Sequence, residues 1–210
     1  MQYFNSLPFI TTTDNTGNVY ALRNILVRTN LIPQLAGNPL LFYAYSLQDG
    51  DTPEIVAHKY YGDVNRFWIT LYGNPQIMDP QSDWPLSSQQ FLLYLQDKYA
   101  VAANGASNVV SYTQGIIQTY QKVITTYDNY SQTTVIKTVD IDETSYYQVQ
   151  PFTQTQQFPD GSSVTYTVST NTISLYDYEY QQNEAKRNIN LINATYANQV
   201  ETQYQSLVSL

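Results

Sequence analysis

Apolar positions along the chain change their period three times, and each change predicts a different element. Leu41-Phe42-Tyr43-Ala44-Tyr45 is a short apolar run that reads as a strand. Gly50 breaks it. Thr52 is a good N-cap, and Pro53 suits the first helical position, where its missing N–H costs nothing. Ile55, Val56 and Tyr60 follow at helical spacing, and Gly62 suits a left-handed helix end. Asp63 then caps a second helix, in which Val64, Phe67, Trp68 and Leu71 stand at i, i+3, i+4 and i+7. Gly73 closes it. Two helices this short are marginal alone, so they must pack on each other and on the strand.

Residues 1–18 read as irregular, with a turn cluster at Asp14-Asn15-Thr16-Gly17-Asn18. Val19–Val27 fits a helix through Leu22, Ile25 and Leu26, and a strand through its β-branched content. Pro33, Gly37 and Pro39 form a loop. Beyond the second helix, Pro75, Pro80 and Pro85 mark an extended segment. Trp84 is expected to plug back onto the preceding elements, because an exposed indole would leave a large apolar surface wet. Ser87 or Ser88 caps a third helix running to about Tyr99, with Phe91, Tyr94 and Leu95 on its apolar face. Ala100–Asn108 reads as a linker.

From 109 to 175 the pattern turns to strands. Ile116, Ile117, Val123, Ile124, Val135, Ile136, Val139, Ile141, Val149, Val164, Tyr166 and Val168 sit among Thr, Ser, Gln and Tyr. Turns fall at Asp128-Asn129 and Pro159-Asp160-Gly161, so three or four antiparallel strands are predicted. The period then changes for the last time. Ala185, Ile189, Ile192, Tyr196, Val200, Tyr204 and Leu207 keep a 3/4 spacing with no Pro or Gly between them, which predicts one helix over 176–207. About 32 residues would span about 48 Å. So long and narrow a stripe predicts docking on a partner protein, with residues 40–100 folding independently of it; the alternative is a helix folded back on its own domain.

The resulting expectation is an α+β chain in four segments. These are an N-terminal arm at 1–39, a strand–helix–helix module with an extra helix at 40–100, a β-rich middle segment at 101–175, and a C-terminal helix at 176–210.

Composition narrows the function classes. Charged residues make up 12% of the 210 positions, against about 25% in ordinary soluble proteins. Surface polarity must therefore come from Gln, Asn, Ser and Thr. The 21 tyrosines supply contact area with a polar tip, which suits interfaces or reflects a biased composition. Net charge is −8 with no basic patch, which argues against nucleic-acid binding. There is no cysteine for a disulfide or a thiolate metal site. The first residues do not read as a secretory signal, and no apolar run approaches the ~20 residues of a membrane span.

Chemistry-bearing motifs are sparse. His58 has no Cys or His partner at ligand spacing, so no metal site or cofactor is expected. The acid pairs Asp49/Asp51, Asp140/Asp142/Glu143 and Asp177/Glu179 fall in turns or a strand rather than a cleft. No nucleophile elbow or phosphate loop is present, so the chain is not expected to be an enzyme.

The stretch Tyr45-Ser46-Leu47, Gly50-Asp51-Thr52, Ile55-Val56-Ala57, Tyr60-Tyr61-Gly62 and Asn74 resembles the LysM module. Instead of that family's closing Pro-Gly turn and second apolar run, residues 77–86 carry Ile77-Met78-Asp79-Pro80 and Gln81 to Leu86. A wider series, GDTPE, YYGD, RFW, GNP, DPQSDWPL, QDKY and later YDYEYQQNEAKRNINLI, resembles the LysM-bearing baseplate wedge proteins of T-even-like contractile-tailed phages. That resemblance covers about residues 1–100 and 175–210. It implies a structural virion protein, assembled in the host cytoplasm and held in the tail baseplate as a docking subunit. Its implied neighbours are a large wedge scaffold protein and a small lysozyme-like wedge protein, with six copies per baseplate. The LysM likeness alone implies the alternative, a peptidoglycan-binding protein of the cell wall. Its glycan groove would set Asp51, Thr52 and Pro53 against Asn74, Pro75 and Ile77. The implied module core is Tyr45, Ile55, Val56, Phe67, Trp68, Leu71 and Trp84. The implied docking stripe is Ile189, Ile192, Tyr196, Val200, Tyr204 and Leu207.

Overall fold

The computed structural model describes residues 3–27 and 37–208. The fold is mixed α and β, with its sheets antiparallel. The loop expected at Pro33 lies outside the described residues. The chain divides into two compact units, one made of the described residues up to Gln89 together with those from Asn183 on, the other of Gln90–Gln182.

The first unit begins with a hairpin of β1 (Phe9–Thr13) and β2 (Val19–Arg23), paired from Phe9↔Arg23 to Thr13↔Val19. The ambiguous run from Val19 thus starts as a strand, and part of the expected irregular arm is its partner. Asp14 holds the turn by accepting from the Thr16 and Asn18 amides, and Gly17 supplies the positive φ, 89°.

β3 (Phe42–Ser46) leads into α1 (Pro53–Tyr61) and α2 (Phe67–Tyr72). The local signals act as their chemistry requires. Thr52 accepts from the Ile55 amide, Gly62 ends α1 at φ 72°, and Asp63 accepts from the Asn65 amide. Packing departs from the expected faces at two positions. Ile55 is exposed, because α1 turns Val56, Ala57 and Tyr61 inward and a neighbour one position away points about 100° aside. Val64 is exposed too, because Val64–Arg66 forms a 3-10 turn before α2 rather than part of its face.

The largest correction concerns the C-terminal segment, which is not one helix. It forms α6 (Leu175–Ala185), the strand β8 (Asn188–Ile192) and α7 (Ala197–Val208). β8 pairs antiparallel with β3, setting Tyr45 opposite Ile189 and Phe42 opposite Ile192. The stripe is therefore dispersed. Ile189 and Ile192 are buried strand residues, Tyr196 is exposed in a 3-10 turn, Tyr204 is buried, Val200 is half-buried and Leu207 is exposed. Pairing with β3 selects the strand, and the local sequence permits it. Asn188-Ile189-Asn190-Leu191 alternates with period two, and Asn193 caps the next turn through the Thr195 amide.

Two apolar clusters form the core of this unit. One joins Ala57, Tyr61, Trp68 and Ile69 to Ile192, Ala197, Tyr204 and Val208. The other joins Leu47, Val56 and Trp84 to Ile189 and Leu191. Both need residues from the C-terminal end, so residues 40–100 do not contain their own core. Tyr61 donates to the Ile192 carbonyl at 2.8 Å across 131 positions, and Arg66 pairs with Glu201 of α7 at 3.1 Å.

The second unit holds most of α3 (Ser88–Tyr99), then α4 (Val109–Gly115), β4 (Ile117–Asp128), β5 (Thr133–Ile141), α5 (Glu143–Gln148), β6 (Phe152–Gln157), β7 (Ser163–Ser174) and the start of α6. Of the three or four strands expected here there are four, in one antiparallel sheet of order β5-β4-β7-β6. The short helices α4 and α5 left no clear sequence signal, and the expected linker contains the buried Ala103. Phe91 and Leu95 of α3 are buried, with Phe91 edge-on to Tyr176 and Tyr180. Glu179 is also buried. It accepts from Lys98 (2.8 Å), Tyr94 (2.9 Å) and Tyr99.

Within the first unit, the chain is clamped where it departs and where it returns. The buried Asn183 side chain accepts from the Leu86 amide at 2.7 Å and donates to the Leu86 carbonyl at 3.0 Å. Lys186 donates to the Ser82 carbonyl.

Candidate functional site

The residues expected to flank a groove are Asp51, Thr52 and Pro53 on the turn before α1, and Asn74, Pro75 and Ile77 after α2. Trp84 sits on this region and is buried. Its indole N–H donates to the Asp51 carbonyl at 2.6 Å, and its ring belongs to the cluster of Leu47, Val56, Ile189 and Leu191, with Leu71 and Ile77 packed at the edge. The expected plug is therefore present, and it takes up surface that Ile77 would otherwise present.

Asp51 is buried and has a full set of partners. Its carboxylate accepts from Lys59 (2.6 Å), the Gln48 amide (3.0 Å) and the Tyr45 hydroxyl (3.3 Å). Burial alone would raise its pKa. The Lys59 hydrogen bond, with the Gln48 amide, more than offsets that and holds the carboxyl below its ordinary value. Burial and the Asp51 charge push the Tyr45 hydroxyl up. A carboxyl with a lowered pKa that already accepts three hydrogen bonds is a poor general acid, so this pair of groups is built to hold the turn.

A group whose folded pKa is depressed adds stability above its unfolded pKa and loses it as pH falls through the folded one. Asp51→Asn is therefore expected to lower the melting temperature at pH 7. The gap to wild type should begin to narrow below about pH 4, the ordinary Asp value, and close below the folded value. Thermal melts of both proteins across pH 2–8 check this. A gap independent of pH would show that the charge of Asp51 is not what stabilises the turn.

Asn74 is wholly buried and does the work of a strand residue with its side chain. Its Nδ2 donates to the Asn190 carbonyl (2.7 Å) and the Thr70 carbonyl (2.8 Å), while its Oδ1 accepts from the Asn190 amide (2.8 Å). It thereby completes the edge of β8 that β3 leaves free. The neighbouring Gly73 permits the approach, since a Cβ there would lie 2.8 Å from the Asn190 carbonyl oxygen. Asn74→Ala would strand a buried N–H and C=O. A loss of about 2–4 kcal/mol is expected in chemical denaturation. A loss under about 1 kcal/mol would mean that water replaces the amide.

Of the six groove residues, Asp51 and Asn74 are thus consumed by the fold, Thr52 is exposed and caps α1, Pro53 is the first residue of α1, Pro75 is exposed, and Ile77 packs against the Trp84 cluster. Of the module-core residues, Val56, Trp68 and Trp84 are buried, Tyr45, Phe67 and Leu71 are half-buried, and Ile55 is exposed. Sequence reasoning missed Asn183 and Asn190, whose roles come from positions far along the chain. The alternation in Asn188–Asn193 was the one signal for the strand.

His58 is exposed on α1. Among the described residues no group of three His, Cys, Asp or Glu side chains is placed to hold a metal ion, and no helix is long and apolar enough to cross a membrane. No protein-family model matches the sequence, and no curated protein matches it.

Proposed function

We propose that this protein is a structural subunit of a contractile phage tail, a docking component of the baseplate wedge and not an enzyme. The observation that carries the reading is the internal use of the groove. Asp51, Asn74 and Trp84 turn their polar atoms into the protein itself, which suits a rigid docking block better than a sugar-binding cleft. The order β3-α1-α2 closed by an antiparallel β8 supports a LysM-like module whose second strand arrives from the C-terminal end. That placement accounts for the missing closing turn after Ile77. The low charge and many tyrosines support permanent contacts over free solubility. The neighbours proposed are the large wedge scaffold protein and the small lysozyme-like wedge protein, with six copies per baseplate.

Quantitative mass spectrometry of purified virions tests this directly. Six copies per particle, lost together with tail assembly when the gene is deleted, is the expected result. Absence from virions would overturn it. The alternative, peptidoglycan binding, predicts retention of the full chain on insoluble peptidoglycan and calorimetric affinity for chitooligosaccharides. Neither is expected, because Trp84 fills the region between Asp51 and Ile77.

A further inference from the structure

The four-stranded sheet of the second unit has two unlike faces. Residues directly opposite in the register share a face. One face is mainly polar, with Gln121 and Thr125 of β4, Thr134, Thr138 and Asp140 of β5, Thr165 and Thr167 of β7, and Thr153 and Thr155 of β6; its apolar members are Val123, Ile173 and the exposed Ile136. Its polar groups bond across strands, as in Thr153–Thr167 (3.2 Å), Thr155–Thr165 (3.0 Å) and Gln121–Asp140 (2.9 Å). Such a face is content in water. The opposite face is the more apolar one: it carries Ile124, Val135, Val139, Ile141, Val164, Val168 and Phe152 with Tyr120 and Tyr166, among Thr126, Thr133, Gln154, Gln156, Thr170 and Thr172. Tyr146 of α5 covers one end of it at Tyr120, with ring centroids 5.0 Å apart. Val168 on the central strand β7 is buried and Ile124, Val164 and Tyr166 are half-buried, while on the edge strands Val135 (63%) and Phe152 (48%) stand exposed. An antiparallel sheet ordinarily turns its apolar face to a core.

Two ammonium groups stand on this apolar face. Lys122 lies opposite Val139 and Lys137 opposite Ile124, so the two are diagonal neighbours, with backbones about 7–8 Å apart. Neither has a hydrogen-bond or ion-pair partner among the described residues. Every other described Lys or Arg does. Lys59, Arg66, Lys98 and Arg187 pair with carboxylates, Arg23 donates to the Leu7 carbonyl, and Lys186 donates to that of Ser82. In a chain with 17 acidic residues, leaving two adjacent cations unpaired on an apolar face is an exception that asks for a reason.

We infer that this face docks a different protein, through an apolar surface that carries carboxylates over Lys122 and Lys137. Charge decides against a second copy as occupant. Asp128, on the same face, is taken up by its own turn, accepting from the Tyr130 amide and the Ser131 hydroxyl, and Asp140 lies on the polar face with Gln121. Glu143 of α5 is engaged by the Tyr120 hydroxyl, so two such faces stacked together would bring four lysines against carboxylates that already have partners. The inference extends the assembly reading above by naming a surface and the chemistry it meets, and it needs only that the protein has a permanent partner.

The test uses the full-length chain in its native assemblies, isolated through a terminal tag. A water-soluble carbodiimide joins amines to carboxylates without a spacer, and the products are mapped by mass spectrometry. The expected result is a peptide containing Lys122 or Lys137 joined to an Asp or Glu of another polypeptide. A Lys122→Glu/Lys137→Glu variant that melts like wild type should then retain that polypeptide at least tenfold less. Two results overturn the inference. One is a link solely to a second copy of this chain. The other is full labelling of both lysines by an amine reagent in the assembled state. A partner that is not a tail protein would defeat the wedge assignment and leave the docking face standing. A tail-bound chain with both lysines freely labelled would do the reverse.

Discussion

A chain ending at Arg187 is expected to lose the fold of the first unit altogether. The truncation removes β8, the sole described partner of β3, and α7 with it. It takes Ile189, Leu191, Ile192, Tyr204 and Val208 out of the two core clusters. Each large side chain is worth about 1.5–3 kcal/mol on burial, so roughly 8–15 kcal/mol is lost. That equals the whole stability of an ordinary domain, about 5–15 kcal/mol. Residues 40–100 should therefore not fold alone, contrary to the expectation from the sequence. Ending the chain before Thr195 should also fail, since Ala197, Tyr204 and Val208 line the pocket around Trp68. Tryptophan fluorescence during urea titration checks this. A cooperative transition retained in the truncated chain would show that β8 and α7 are accessories. The complementary variant replaces residues 90–182 by a short Gly/Ser linker. It is expected to keep a cooperative transition, because the Leu86–Asn183 clamp already brings the two ends together.

Trp68→Ala is expected to destabilise the same unit by about 3–5 kcal/mol. Trp68 is 4% exposed and is the centre of an aromatic group. Tyr3 stacks on it at 5.6 Å between centroids, Tyr204 lies at 4.8 Å and Tyr72 at 6.0 Å. Its contacts come from the N-terminal segment, from α2 and from α7, so one truncation loosens three parts of the chain. Trp68→Phe should cost less than half as much, because it keeps a ring and removes a buried indole N–H that has no hydrogen-bond partner among the described residues. Equilibrium denaturation of the three proteins gives the comparison. A loss under about 1 kcal/mol for Trp68→Ala would place the aromatic group outside the stabilising core.

How much of this was legible in the sequence depends on the range of the interaction. The turn at Asp14, the caps at Thr52 and Asp63, the end at Gly62, the helix from Ser88 and the strand character of 117–174 were all readable. Each is decided by a residue's own backbone preference or by a partner within a few positions. The burial of Trp84 was readable too, because so large an apolar surface has few other places to go.

The candidate site was legible as a set of positions but not as a set of roles. Asp51 and Asn74 are polar residues at turns, and nothing in their neighbourhood says whether they face water or the interior. Only the arrival of β8 buries Asn74 against Asn190, and only the seating of Trp84 and Lys59 closes Asp51. The same strand explains the largest difference. A 3/4 spacing from Ala185 to Leu207 and a period of two from Asn188 to Leu191 coexist in one sequence, and local preference does not choose between them. The sequence by itself determined the turns at Asp14, Asp128 and Pro159, the cap and end of α1 at Thr52 and Gly62, and the strand character of most of 117–174. The tertiary structure alone decided that Asn188–Ile192 is a strand. The unpaired edge of β3 offers it a full ladder of hydrogen bonds and two apolar clusters to complete, and no helix in isolation matches that.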